Sequence, residues 1–133
     1  MSLTPPAPGH RASDADHATI ADLQRRMEKV LDELDKLSPD YASARQCQEF
    51  IGDRKKTALA DAFTAILGAD PEASATSAEH RARASTLYKD RMKGLQADHL
   101  KAETVIATYA LLNTRLDVAR SLLAIERVKL ERL

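Results

Sequence analysis

Between Pro71 and Leu133 the chain carries no further proline and one glycine, Gly94, while Ala, Leu, Arg, Lys and Glu fill most positions. These residues lose little on entering a helix, so the stretch predicts one α-helix of about 55 to 60 residues, a rod of about 85 Å at about 1.5 Å per residue. The apolar stripe of such a rod has to be covered by the first half of the chain or by another copy. The expected fold is therefore all-α: a long C-terminal helix in an antiparallel hairpin with two shorter helices.

The first of those begins at Ser13 or Asp14, after which Ile20, Leu23, Met27, Val30, Leu34 and Leu37 recur at alternating spacings of three and four. That is an uninterrupted heptad stripe. Pro39 disfavours helical geometry at Ser38 and fits the first turn of a new helix, so a break is expected there. A second helix would run from Pro39 to about Leu67, burying Tyr41, Ala44, Cys47 or Gln48, Ile51, Ala58, Leu59, Ala62, Phe63 and Ile66, with thin packing around Gly52. Gly68 and Asp70-Pro71 mark the reversal, and Thr76-Ser77-Ala78-Glu79 offers a capping box as a second start for the rod. Ahead of all this, Pro5, Pro6, Pro8 and Gly9 deny the backbone regular hydrogen bonding, so residues 1–13 read as a mobile tail before a helical domain over 14–133.

Along the rod the expected buried positions are Ala84 or Ser85, Tyr88, Met92, Leu95, His99, Ala102, Val105 or Ile106, Tyr109, Leu112, Leu116, Ala119, Leu123 and Leu130. From Ile106 to Leu123 the stripe widens with Ala110, Leu111 and Leu122, which asks for contact with more than one helix. Either the first helix packs there as a third layer or a second protomer docks, and a homo-oligomer, a dimer first of all, is expected. Its interface would use Ile20, Leu23, Met27, Val30, Leu34 and Leu37, or Ile106, Tyr109, Leu112, Leu116 and Leu123.

Chemistry has little to stand on. The histidines, His10, His17, His80 and His99, are scattered, and no two of them stand at i,i+3 or i,i+4 with a carboxylate or Cys placed to complete a metal site. His99 reads as a satisfied interface histidine, Cys47 as a small core residue, and no glycine-rich phosphate loop is present. No catalytic residue, cofactor or metal is therefore expected. A lone cysteine, the absence of any apolar run near the roughly 20 residues of a membrane helix, and an N-terminus without a signal-peptide core point to a cytoplasmic protein without a membrane partner.

Twenty basic residues against twenty acidic ones remove the simplest case for a polyanionic partner. Three clusters could still gather at one end of a hairpin: Arg54, Lys55 and Lys56; Arg81 and Arg83; Lys89, Arg91 and Lys93. Nucleic-acid binding through that patch is the alternative reading, and solvated helix surface the plainer one. Charge is also uneven along the chain, with seven acidic and four basic residues from Asp14 to Ser38, and five basic and three acidic from Arg115 to Leu133.

Tyr41-Ala42 opening a helix, Arg54-Lys55-Lys56 within it, the run from Ala78-Glu79 to Tyr88, and Leu112-Asn113-Thr114-Arg115-Leu116-Asp117-Val118-Ala119-Arg120 followed by Ser121 resemble a group of small phage and prophage helical-hairpin proteins encoded near recombination or replication genes. The resemblance covers roughly residues 41–129 and implies a phage-derived accessory protein in the bacterial cytoplasm, with no catalytic residues to carry over. Together these readings give a non-catalytic protein-interaction factor, with nucleic-acid binding and structural coiled-coil assembly as the alternatives.

Overall fold

The computed structural model describes residues 14–132, which form α1 (Asp14–Ala69), α2 (Ala75–Ala84) and α3 (Thr86–Glu131), with no strand among them. The expected tail, residues 1–13, lies outside the described residues.

Two expectations are corrected. Pro39 does not separate two helices but sits inside α1, which runs 56 residues. A proline in a helix interior removes one backbone hydrogen bond and crowds the preceding turn, at about 3 kcal/mol or more. The apolar phase explains why the helix continues. Beyond Leu34 and Leu37 the stripe resumes at Tyr41, Ala44, Gln48 and Ile51 on the same alternation of three and four, so one face serves both sides of the proline. Ser38, Pro39 and Asp40 are exposed, and so is Asp35, whose carbonyl Pro39 cannot bond and which water can solvate. Pro39→Ala should therefore raise the thermal midpoint, restoring about 1–2 kcal/mol after the loss of proline's restriction of the unfolded chain is deducted. Calorimetry that finds a lower midpoint would show that the proline is needed.

The rod is likewise not one piece. It divides at Ser85, whose backbone is extended (φ −70, ψ 150) between α2 and α3. Ser85 serves both ends: its backbone N–H donates to the Ala82 carbonyl (3.1 Å), its hydroxyl donates to the same carbonyl (2.6 Å), and its Oγ accepts from the Tyr88 N–H (3.2 Å). Serine's side chain competes with the helix for backbone partners, and here it takes the place of a continuous turn. The stripe loses phase at the same point, since Ala82, Ser85 and Tyr88 advance by two steps of three. At the other end of α2, Ser74 is the N-cap and accepts from the Ser77 N–H at 3.1 Å, which puts the helix start between the two signals read from the sequence.

Contacts divide the chain into two units, residues 14–38 with 108–132, and residues 39–107. The first has a leucine core: Leu23, Leu112, Leu116, Ala119 and Leu123 are buried. Burying each leucine contributes about 1.5–3 kcal/mol. The remaining members of the α1 heptad, Ile20, Met27, Val30, Leu34 and Leu37, are only half-buried.

The second unit has an alanine core: Ala44, Ala58, Ala62, Ala78, Ala82 and Ala102 are buried. Ala58 with Ala62 and Ala78 with Ala82 are i,i+4 pairs, each on one face of its helix. Methyl side chains at a contact let helix axes come closer than leucines would. Within this unit Arg91 of α3 pairs with Asp61 of α1, Arg81 with Asp70 (2.9 Å) and Arg83 with Glu79 (3.1 Å). All six side chains are substantially exposed, so these pairs add little to stability.

Candidate interaction surface

The C-terminal half of α3 carries two apolar stripes. The inner one, Leu112, Leu116, Ala119 and Leu123, is the core of the first unit. The outer one, Leu111, Val118, Leu122 and Ile125, is exposed, Val118 at 53% and Ile125 at 51%. At about 100° per residue the centres of the two stripes stand about 120° apart, so one helix faces two directions with apolar side chains. Large apolar residues scattered singly on a surface need no explanation, but an aligned row of four does.

Part of that outer stripe walls an open groove of about 390 Å³ in the first unit. Leu23 and Val30 of α1 line it together with Val118, Ala119 and Leu122 of α3, while Arg26, Lys29 and Glu33 stand on one rim and Thr114 and Arg115 on the other. Arg26 is held by Asp22 at 3.1 Å. Lys29, Arg115 and Glu33 have no ion-pair partner among the described residues, so the groove joins apolar side chains to a lining with three cations and one acid.

The interface residues read from the sequence are thereby redistributed. Leu112, Leu116 and Leu123 are spent inside the first unit, and Leu23, equally buried, reaches the surface only as part of the groove floor. Ile20, Met27, Val30, Leu34, Leu37, Ile106 and Tyr109 are half-buried. Val118, Ile125 and the exposed Leu31 of α1 were not singled out in the sequence, although the 111–118–122–125 spacing carries the signal.

The basic clusters all fall in the second unit. Three of the eight cations, Arg81, Arg83 and Arg91, are engaged by Asp70, Glu79 and Asp61. Arg54, Lys55, Lys56, Lys89 and Lys93 are exposed and have no ion-pair partner among the described residues. Tyr88, interleaved with them in sequence, is half-buried. His99 donates from Nε2 to the Glu103 carboxylate (2.9 Å), but its buried Nδ1 has no hydrogen-bond partner, so it is less fully satisfied than expected. Ala84 is exposed, and the buried alanines of α2 are Ala78 and Ala82. Among the described residues, no group of three or more His, Cys, Asp or Glu could hold a metal ion, and no helix is long and apolar enough to cross a membrane.

No family model matches this chain, and neither a curated protein nor a solved structure matches it.

Proposed function

We propose that this chain is a non-catalytic helical interaction protein that receives a partner helix on the outer stripe of α3 and in the groove beside it. The observation that carries the proposal is the exposed row Leu111, Val118, Leu122 and Ile125, aligned on one face and continuous with an apolar groove. An amphipathic helix laid into such a groove is a recurrent recognition mode, read by apolar anchors at i, i+3 or i+4, and i+7. The hairpin pairing of α1 with α3 belongs to the same proposal, supported by the joint lining of the groove by both helices. The likeness to phage helical-hairpin proteins supports placing the chain among phage accessory factors acting in the bacterial cytoplasm.

The test is Val118→Asp with Leu122→Asp. Both side chains are exposed, so melting is expected to stay within about 0.5 kcal/mol of wild type per substitution. Proteins retained by the wild-type chain from its source cells, identified by mass spectrometry, should be lost by the double variant. An unchanged set of retained proteins would defeat the proposal.

A second reading, nucleic-acid contact, is favoured by the five unpaired cations of the second unit, Arg54, Lys55, Lys56, Lys89 and Lys93. Such binding would weaken steeply with salt. Absence of DNA or RNA binding by fluorescence anisotropy at low ionic strength removes it.

A further inference from the structure

We infer that the groove of the first unit is filled by a second copy of this chain, through the face of α1 that carries Leu31, in a head-to-tail contact. The inference rests on the interaction reading above and names its occupant. Leu31 is 45% exposed on α1. Glu28 and Asp35 stand one turn before and after it, both exposed and both without an ion-pair partner among the described residues. Asp32, between them, is committed to Lys36 at 2.9 Å, and its carboxylate raises that lysine's pKa above the ordinary value. The chain thus presents one exposed leucine between two uncommitted carboxylates.

The groove offers the complement. Its floor is apolar, and its lining carries three cations, Arg26, Lys29 and Arg115, against one acid, Glu33, so the groove is net positive. A copy that seats Leu31 over Val118 and Leu122 brings Glu28 and Asp35 toward Lys29 and Arg115. Apolar contact supplies affinity, and the opposed charges fix orientation and register.

The two faces cannot meet in a two-fold dimer. On α1, measured from the core position Leu23, Leu31, Glu28 and Asp35 lie about 80–140° to one side, while Arg26, Lys29 and Glu33 lie about 60–120° to the other. One patch therefore meets a different patch on the next copy. Such heterologous contacts give an open series or a ring, whereas an isologous dimer uses the same patch twice.

Sedimentation equilibrium of the full chain over a wide concentration range, with a charge-swapped pair, decides the matter. The wild-type weight-average mass should rise past that of a dimer and fall when salt is added. Lys29→Glu with Arg115→Glu makes both faces acidic, and Glu28→Lys with Asp35→Lys makes both basic. Each variant alone should associate about tenfold or more weakly than wild type, since like charges then oppose each other. An equimolar mixture should assemble again, because acidic and basic faces alternate. Leu31→Ser, uncharged, should also associate more weakly than wild type, and circular dichroism should find all variants as helical as wild type.

A wild type that stays monomeric, one that stops at a dimer, reversed charges without effect, or a mixture that fails to reassemble would each overturn the inference. A monomeric chain that still loses foreign partners on Val118→Asp with Leu122→Asp would overturn self-pairing alone and leave the interaction reading standing.

Discussion

Leu116→Asp should remove most of the cooperative helical signal at temperatures where the wild type is folded. Leu116 is 5% exposed, in a core shared with Leu23, Leu112, Ala119 and Leu123. Truncating a buried leucine costs about 2–5 kcal/mol. A carboxylate in its place adds the cost of burying a polar or charged group without a partner. Against a typical stability of about 5–15 kcal/mol, the sum takes a large share. The pH dependence has a definite sign. Desolvation raises the pKa of the introduced carboxyl in the folded state above its unfolded value, so the neutral form is tolerated better and the variant loses further stability as pH rises through that folded pKa. Thermal melts followed by circular dichroism should find the gap from wild type widening from acidic to neutral pH. A gap that stays constant would mean the carboxyl reaches water.

The second large effect belongs to the alanine core. Ala62 is 1% exposed and Ala82 fully buried. Replacing either with leucine leaves helix propensity nearly unchanged and raises hydrophobicity, so any loss of stability has to come from lack of space. Inserting extra methylene groups into a packed contact costs about 1–3 kcal/mol, and more where two helix backbones must separate. Ala62→Leu and Ala82→Leu should each destabilise by that amount, whereas Ala65→Leu, on an exposed position of the same helix, should not. Denaturant titrations give the comparison directly, and three equal midpoints would mean that the alanines are not in close contact.

How far these features were legible in the sequence depends on which signal is followed. The helical class follows from propensity, and the inner stripe, Leu112 to Leu123, from its period. Pro39 misleads because its local preference is strong, yet the heptad phase carries on from Ile20 to Ile51, with Gln48 its polar member, and overrules it. Ser85 misleads in the opposite sense: nothing in its neighbours forbids helix, and only the slip of phase at Ala82, Ser85 and Tyr88 hints at the division. Ala78 and Ala82 escape notice because a pattern of alanines reads equally well as core or surface until a neighbouring helix is known to lie against them. The same ambiguity governs α3. Its two apolar stripes have equal periodicity, and only the placement of α1 decides that Leu112 faces inward while Leu111 faces water.

That division of one helix into a core face and a docking face is the claim on which the functional reading depends. It is tested most directly by aspartate substitutions, one at a time, along α3 from Leu111 to Ile125, with the thermal midpoint of each measured at low protein concentration. The expected profile is periodic: large losses at Leu112, Leu116, Ala119 and Leu123, and midpoints near wild type at Leu111, Val118, Leu122 and Ile125. Comparable losses on both stripes would contradict the account, because the outer row would then already be covered within the chain and would have nothing left to offer a partner.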